Sequence, residues 1–200
     1  MIKVVLFDFG GVIVEEGWRE GLKAIAREKR LDPDIFYTTV NELIHETGYV
    51  TGMCDESYFW DKVREVTKVT GDNKELREDV LKRFTIRPEV IRVVEEIKAL
   101  GLSVNILSDQ TNWLDEINQR TPFYHHFDRV FNSFKAGKSK RDPSVFRDVC
   151  KALGVKPEET LFIDDHEGNV KRASGEGLKA VHFTDIACLK REIGSLLPPH

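Results

Sequence analysis

Two patterns predict an α/β protein. Short β-branched runs alternate with amphipathic stretches over most of the chain, and several runs end in polar residues: Asp8, Ser108 and Asp164-Asp165. Between residues 18 and 83 the alternation stops and only helical patterns remain. Strand, helix, strand with short connections dictates parallel strands joined by right-handed crossovers. The expected architecture is a Rossmann-like parallel sheet flanked by helices, with a small all-helical domain inserted after the first strand. The chain has 200 residues, enough for such a core and a modest insert. The core is assigned to residues 1–15 and 84–200, the insert to 16–83.

The elements follow in order. Ile2 to Phe7 is apolar and β-branched and runs into Asp8-Phe9-Gly10-Gly11, a buried strand entering a tight turn. In the insert, helices are predicted over Trp18 to Arg30, Pro33 to Glu46, Asp55 to Lys68 and Asn73 to Phe84, broken at Asp32-Pro33, Gly48, Gly52 and Gly71-Asp72. Pro88 suits a first helical position, and Val90, Ile91, Val94, Ile97 and Leu100 form one stripe closed by Gly101. Leu102 to Leu107 is a strand ending at Ser108, and Val130-Phe131 a weaker one. Asp142-Pro143 caps a helix with the stripe Val145, Phe146, Val149, Leu153. Leu161 to Ile163 is a strand ending at Asp164-Asp165. A short helix over Glu167 to Ser174, a strand over Lys179 to Phe183 and a helix after Asp185 complete the pattern. The Pro-Pro-His end is expected to fray.

Composition narrows the function. A net charge of -4, from 30 Lys+Arg against 34 Asp+Glu, gives no global field toward nucleic acid or an anionic membrane. Any bound anion must be held locally. Cys54, Cys150 and Cys188 are far apart, which excludes a zinc site or disulfide framework and leaves buried reduced thiols. Met1 to Phe7 is too short for a signal sequence and no stretch is apolar enough to span a bilayer. The expected compartment is the cytoplasm.

Parallel sheets bind ligands at the carboxyl ends of their strands, where Asp8, Ser108, Asp164 and Asp165 stand. Lys140 lies in a loop between predicted elements. Each alone is an ordinary cap, turn residue or solvated charge. Together they suit phosphoryl transfer. A carboxylate can attack phosphorus and split one hard hydrolysis into two easier steps. Carboxylate and phosphate repel, so a cation must bridge them; Mg²⁺ does so through one or two carboxylates, waters and a phosphate oxygen. A lysine and a hydroxyl can then neutralise and orient the phosphoryl oxygens.

Phe7-Asp8-Phe9-Gly10-Gly11-Val12 resembles the first motif of the haloacid dehalogenase superfamily. Leu107-Ser108 resembles its second motif, Gly137 through Lys140 with Asp142-Pro143 its third, and Phe162 to Asp165 followed by Asn169 its fourth. Gly52 through Trp60 resembles a stretch of the helical cap that some members carry between the first two motifs. The nearest look-alikes are sugar 1-phosphate phosphatases and the N-terminal phosphatase units of epoxide hydrolases. The resemblance implies a phosphatase acting on a small phosphorylated metabolite such as a sugar phosphate. It implies Asp8 as nucleophile, with Ser108 and Lys140 as the other catalytic residues. It implies Mg²⁺ held by Asp8, the Gly10 carbonyl, Asp164 and Asp165, and phosphate bound by Gly10, Gly11, Ser108, Asp109 and Lys140. A metal-independent 2-haloacid dehalogenase and a catalytically weak binding protein of the same fold are the alternatives.

Three residues depart from the pattern. The family's phosphatases usually carry a second Asp two residues after the nucleophile, as general acid and base; here Gly10 stands there. Such a group is worth about 10²- to 10⁴-fold, so a substrate with a good leaving group is expected. Asp109 stands where relatives often have Asn; it reads as a cap for a helix starting near Asn112, with replacement acid/base as the alternative. Arg141 replaces the usual Pro. The run Lys135 to Arg141 is read as part of a phosphate site rather than a nucleic-acid patch, and His125-His126 as loop residues. Trp18, Tyr58, Phe59 and Trp60 are expected in the core of the insert, with Trp18 the better candidate among them for substrate contact.

Overall fold

The computed structural model describes residues 1–197; the Pro-Pro-His end, expected to fray, lies outside them. Strands β1 (Val4–Phe7), β2 (Ser103–Ser108), β3 (Arg129–Asn132), β4 (Thr160–Asp164) and β5 (Lys179–His182) form one parallel sheet. The order is β3-β2-β1-β4-β5, so β1 is central. Every strand is shorter than ten residues, and β1 is buried along its whole length, as a sheet covered on both faces requires. Side chains alternate. Val5 and Phe7 join one apolar cluster with Val104, Ile106, Leu161 and Ile163; Val4 and Leu6 join a second with Phe146, Val149 and Phe162.

Four helices lie between β1 and β2: α1 (Gly17–Glu28), α2 (Pro33–Glu46), α3 (Glu56–Thr67) and α4 (Asn73–Leu81). Their starts are written in the sequence. The carboxylates of Asp32, Asp55 and Asp72 accept hydrogen bonds from the exposed amides of the first turns of α2, α3 and α4. α4 stops at Leu81, short of the predicted Phe84, because the chain turns there to stack the Phe84 ring on Phe9, 5.8 Å between centroids. After the insert come α5 (Pro88–Ala99), α6 (Trp113–Arg120), α7 (Ser133–Ala136), α8 (Ser144–Leu153), α9 (Glu167–Gly175) and α10 (Ile186–Leu196). The sequence carries no signal for α7, a single turn.

The insert meets the core along an aromatic seam. Trp60 of α3 stacks on Trp113 of α6 at 6.1 Å and 22°. Tyr49 lies edge-on to both Trp113 and Phe134, each at 6.0 Å, and donates to Asn112 Oδ1 at 2.7 Å. Ser133 Oγ donates to the Val50 carbonyl at 2.7 Å. One hydrophobic cluster thus runs unbroken from the sheet into the insert. Tyr58, expected in the insert's core, is 50% exposed, because the buried face of α3 falls on Phe59, Trp60 and Val63. Of the cysteines, expected buried, only Cys150 is; Cys54 and Cys188 are half-buried. No helix among the described residues is long and apolar enough to cross a membrane.

Candidate active site

The register explains why distant carboxylates meet. Phe7 pairs with Ile106 on one side and Ile163 on the other, so Asp8, one residue on, is level with Leu107 and Asp164. The Asp8 amide donates to the Ile163 carbonyl at 2.8 Å, extending the ladder beyond the strand. Ser108 ends β2 and Asp164 ends β4. Carboxylate oxygens of Asp8, Asp164 and Asp165 lie within 4.8 Å of one another.

The chain turns sharply after Asp8, and here two adjacent glycines differ. Gly11 has φ +78°, and a Cβ there would sit 2.2 Å from Asp165 Oδ2. Only a residue without a side chain admits the Asp165 carboxylate. Gly10 has no positive φ, and a Cβ there would meet nothing closer than Phe84 Cε1 at 3.9 Å.

Lys140 is the cation at the centre. Its side chain is 2% exposed, and Nζ lies 2.9 Å from Asp8 Oδ1 and 2.6 Å from Asp164 Oδ2. Burial works against its charge, but Asp164, Asp8 and Asp109 outweigh it and hold its pKa well above the usual lysine range. Its backbone is fixed at both ends: the amide donates to Asp109 Oδ1 at 2.9 Å and the carbonyl accepts from Arg172 Nε at 2.8 Å. Asp109 therefore does not cap α6, as the sequence suggested, because the Lys140 amide claims its carboxylate. Burial raises the Asp109 pKa, opposed by Lys140.

Asp8 Oδ1 also accepts from the Phe9 amide at 2.7 Å, while no described residue donates to Oδ2. Burial pushes the Asp8 carboxyl well above the carboxylate range; Lys140 pulls it down and Asp164 and Asp165 push it up. Asp165 is pushed up to about 6 by burial, then by Glu16 and Asp164. Asp164 is held by the His166 amide at 2.7 Å and by Asn169 Nδ2 at 3.0 Å. Three carboxylates pressed together in a half-dry place make a hard oxygen donor set whose mutual repulsion a divalent cation would relieve.

These groups floor a cleft of about 220 Å³. Ser108, Gln110 and Thr111 form one wall and Asp165, His166 and Arg172 another; Glu16, Trp18, Tyr37, Asn41 and His45 of the insert close it from above. Trp18 Nε1 donates to Asn41 Oδ1 at 3.1 Å, fixing the side chain of Asn41. At the rim, Arg141 reaches Glu42 of α2 with two bonds of 2.9 and 3.0 Å. The structure brings all the sequence-predicted residues to one place: Asp8, Gly10, Ser108, Asp109, Lys140 and Asp165 border the cleft, Gly11 backs Asp165, and Asp164 lies beneath. Sequence reasoning missed Arg172, Gln110, Asn41 and His45. Each is an ordinary helix or loop residue whose role comes from loops meeting across long separations. The basic run is wholly paired: Lys135 with Asp115, Lys138 with Asp148, Lys140 with Asp8 and Asp164, Arg141 with Glu42. His125 and His126 lie in a 3₁₀ turn away from the cleft, with His126 beside Glu95 at 3.2 Å.

A model of the haloacid dehalogenase-like hydrolases matches residues 2–173. D-ribitol-5-phosphate phosphatase of Bacteroides thetaiotaomicron is 29% identical over 98% of this chain and 99% of its own. Bifunctional epoxide hydrolase 2 of Rattus norvegicus is 28% identical over 54% of this chain, which spans only 21% of that longer protein. Among solved structures, a HAD family enzyme of Bacteroides thetaiotaomicron in complex with magnesium and inorganic phosphate shares the fold, with TM-score 0.71, 22% identity and coverage of 92% of this chain and 95% of that one.

Proposed function

The chain belongs to the haloacid dehalogenase-like hydrolases, and from that premise we propose that it is a Mg²⁺-dependent phosphatase working through an aspartyl-phosphate on Asp8. The observation that carries this is the meeting of Asp8, Asp164 and Asp165 oxygens within 4.8 Å, beside a buried lysine. Metal-free dehalogenation would leave that costly crowding of carboxylates without a purpose.

Asp8, Asp164, Asp165 and the Gly10 carbonyl would hold the ion, which supplies positive charge between nucleophile and phosphate. The residues do the rest. Asp8 Oδ2, without a protein donor, is the oxygen free to strike phosphorus. Lys140 neutralises a phosphoryl oxygen from a position fixed by Asp109 and Arg172. Ser108, at the end of β2, offers a hydroxyl to another. Residues 16–83 act as a cap that shuts out water and selects the leaving group. The 220 Å³ cleft, with polar and aromatic walls, fits a small phosphorylated metabolite such as a sugar phosphate. The ribitol-5-phosphate relative, matched over nearly its full length, supports that class.

With no carboxylate at position 10, leaving groups that depart without a proton are favoured. The test is turnover of a panel of sugar, acyl and aryl phosphates with Mg²⁺ and with EDTA. Asp8→Asn should lower turnover at least about 10³-fold, with the far-ultraviolet dichroism of the folded protein retained. Phosphate release that survives EDTA or Asp8→Asn refutes the reading.

A further inference from the structure

Gly10 leaves a gap in the cleft wall two residues beyond the nucleophile. A side chain there would begin 4.0 Å from Gln110 Nε2, and Gln110 is the polar group that borders the gap. Its backbone is held by a hydroxyl that is itself fixed: the Gln110 amide donates to Ser133 Oγ at 3.1 Å, whose own proton goes to the Val50 carbonyl at 2.7 Å. The side chain therefore starts from a fixed point. Its carboxamide faces the cleft and bonds to no described residue, so its acceptor and two donors are free. The neighbouring acids already carry partners or a place in the metal cluster: Asp109 accepts from the Lys140 amide, Glu16 from the Arg19 amide at the start of α1, and Asp165 stands with Asp8 and Asp164.

We propose that Gln110 positions the water that hydrolyses the phosphoryl group on Asp8, doing by orientation what a carboxylate at position 10 would do by proton transfer. This rests on the reading of Asp8 as a phosphorylated nucleophile. The water oxygen bonds to phosphorus, the bond from phosphorus to the Asp8 oxygen breaks, and its electron pair returns to the carboxylate. One water proton passes to a phosphoryl oxygen, so dianionic aspartyl-phosphate and water become a carboxylate and dihydrogen phosphate, with no external base. Phosphoryl transfer through a loose transition state asks chiefly for placement of the nucleophile, and a glutamine can supply it. Gln110 is thus a positioning residue for the second half-reaction alone.

Rapid acid quench with ³²P-labelled p-nitrophenyl phosphate and Mg²⁺ measures the fraction of enzyme carrying phosphate at steady state. Turnover divided by that fraction is the dephosphorylation rate constant, whichever step limits. Gln110→Ala should lower this constant about 10- to 100-fold while the rate of phosphorylation holds, and Gln110→Glu should restore part of it. An unchanged constant overturns the proposal, as does an equal fall in both half-reactions, which marks general damage to the site. Asp8→Asn that turns over as fast as wild type overturns the parent reading and this one together; loss of turnover in Asp8→Asn with an unaffected Gln110→Ala overturns this one alone.

Discussion

Two of the contacts between the insert and the core are of opposite character. Along the seam, Trp60, Tyr49 and Trp113 exclude water and share one apolar cluster with the sheet. Over the cleft, Trp18, Asn41 and His45 face carboxylates across open space, and the Arg141–Glu42 pair at the rim is 44% and 52% exposed. The first contact holds the insert on; the second leaves room for a substrate. Stability and chemistry thus fall mainly on different parts of one insert, joined where Trp113 packs on Trp18 at the edge of the cleft, 6.1 Å between rings.

The largest effect falls on the seam. Trp113→Ala should cost about 3–5 kcal/mol, read by denaturant unfolding, because the indole is 1% exposed and contacts three aromatic rings. A loss below about 1 kcal/mol would mean the insert is held elsewhere. Next comes the cleft floor. Gly10→Asp should raise turnover of alkyl phosphates about 10²-fold and of aryl phosphates far less, with little change in melting, since a Cβ there has 3.9 Å of clearance. Equal gains on both substrates would break the link between the missing acid and the leaving group.

The core side of the cleft and the insert above it also respond oppositely to pH. Asp165, pushed up to about 6 by burial, adds stability that is complete below its unfolded pKa and is lost as pH rises through about 6. His45, pushed down to about 4 by burial and then Arg141, adds stability present above its unfolded value near 6.5 and lost as pH falls toward 4. In metal-free protein, His45→Gln should raise the melting temperature over wild type more at about pH 4.5 than at about pH 7.5, and Asp165→Asn the reverse. Parallel shifts for the two variants would contradict this opposition between core and insert. The smallest effect belongs to the rim: Arg141→Ala should change stability by less than about 1 kcal/mol, with a modest rise in KM as its signature.

Legibility in the sequence divides along similar lines. Strand ends could be read because β-branched runs stop at polar residues, which placed Asp8, Ser108 and Asp164. The helix starts at Asp32, Asp55 and Asp72 could be read because capping is local. Lys140 was recognisable only through motif order, and its fixing by Asp109 and Arg172 was not, since it depends on a loop and a helix 31 and 32 residues away. Tyr58 was misplaced because three successive aromatics cannot all face inward on a helix, and the sequence does not say which one turns out. The pairing of Trp60 with Trp113 had no signal at all, for nothing in either helix names its partner.

All three tryptophans of the chain, Trp18, Trp60 and Trp113, belong to one ring network, with both outer indoles about 6 Å from the middle one, at 6.1 Å each. Light absorbed at their wavelength is thus shared among chromophores that straddle the junction between insert and sheet. Emission and near-ultraviolet dichroism of the unlabelled protein will act as a built-in gauge of that junction, blind to the rest of the sheet and needing no dye.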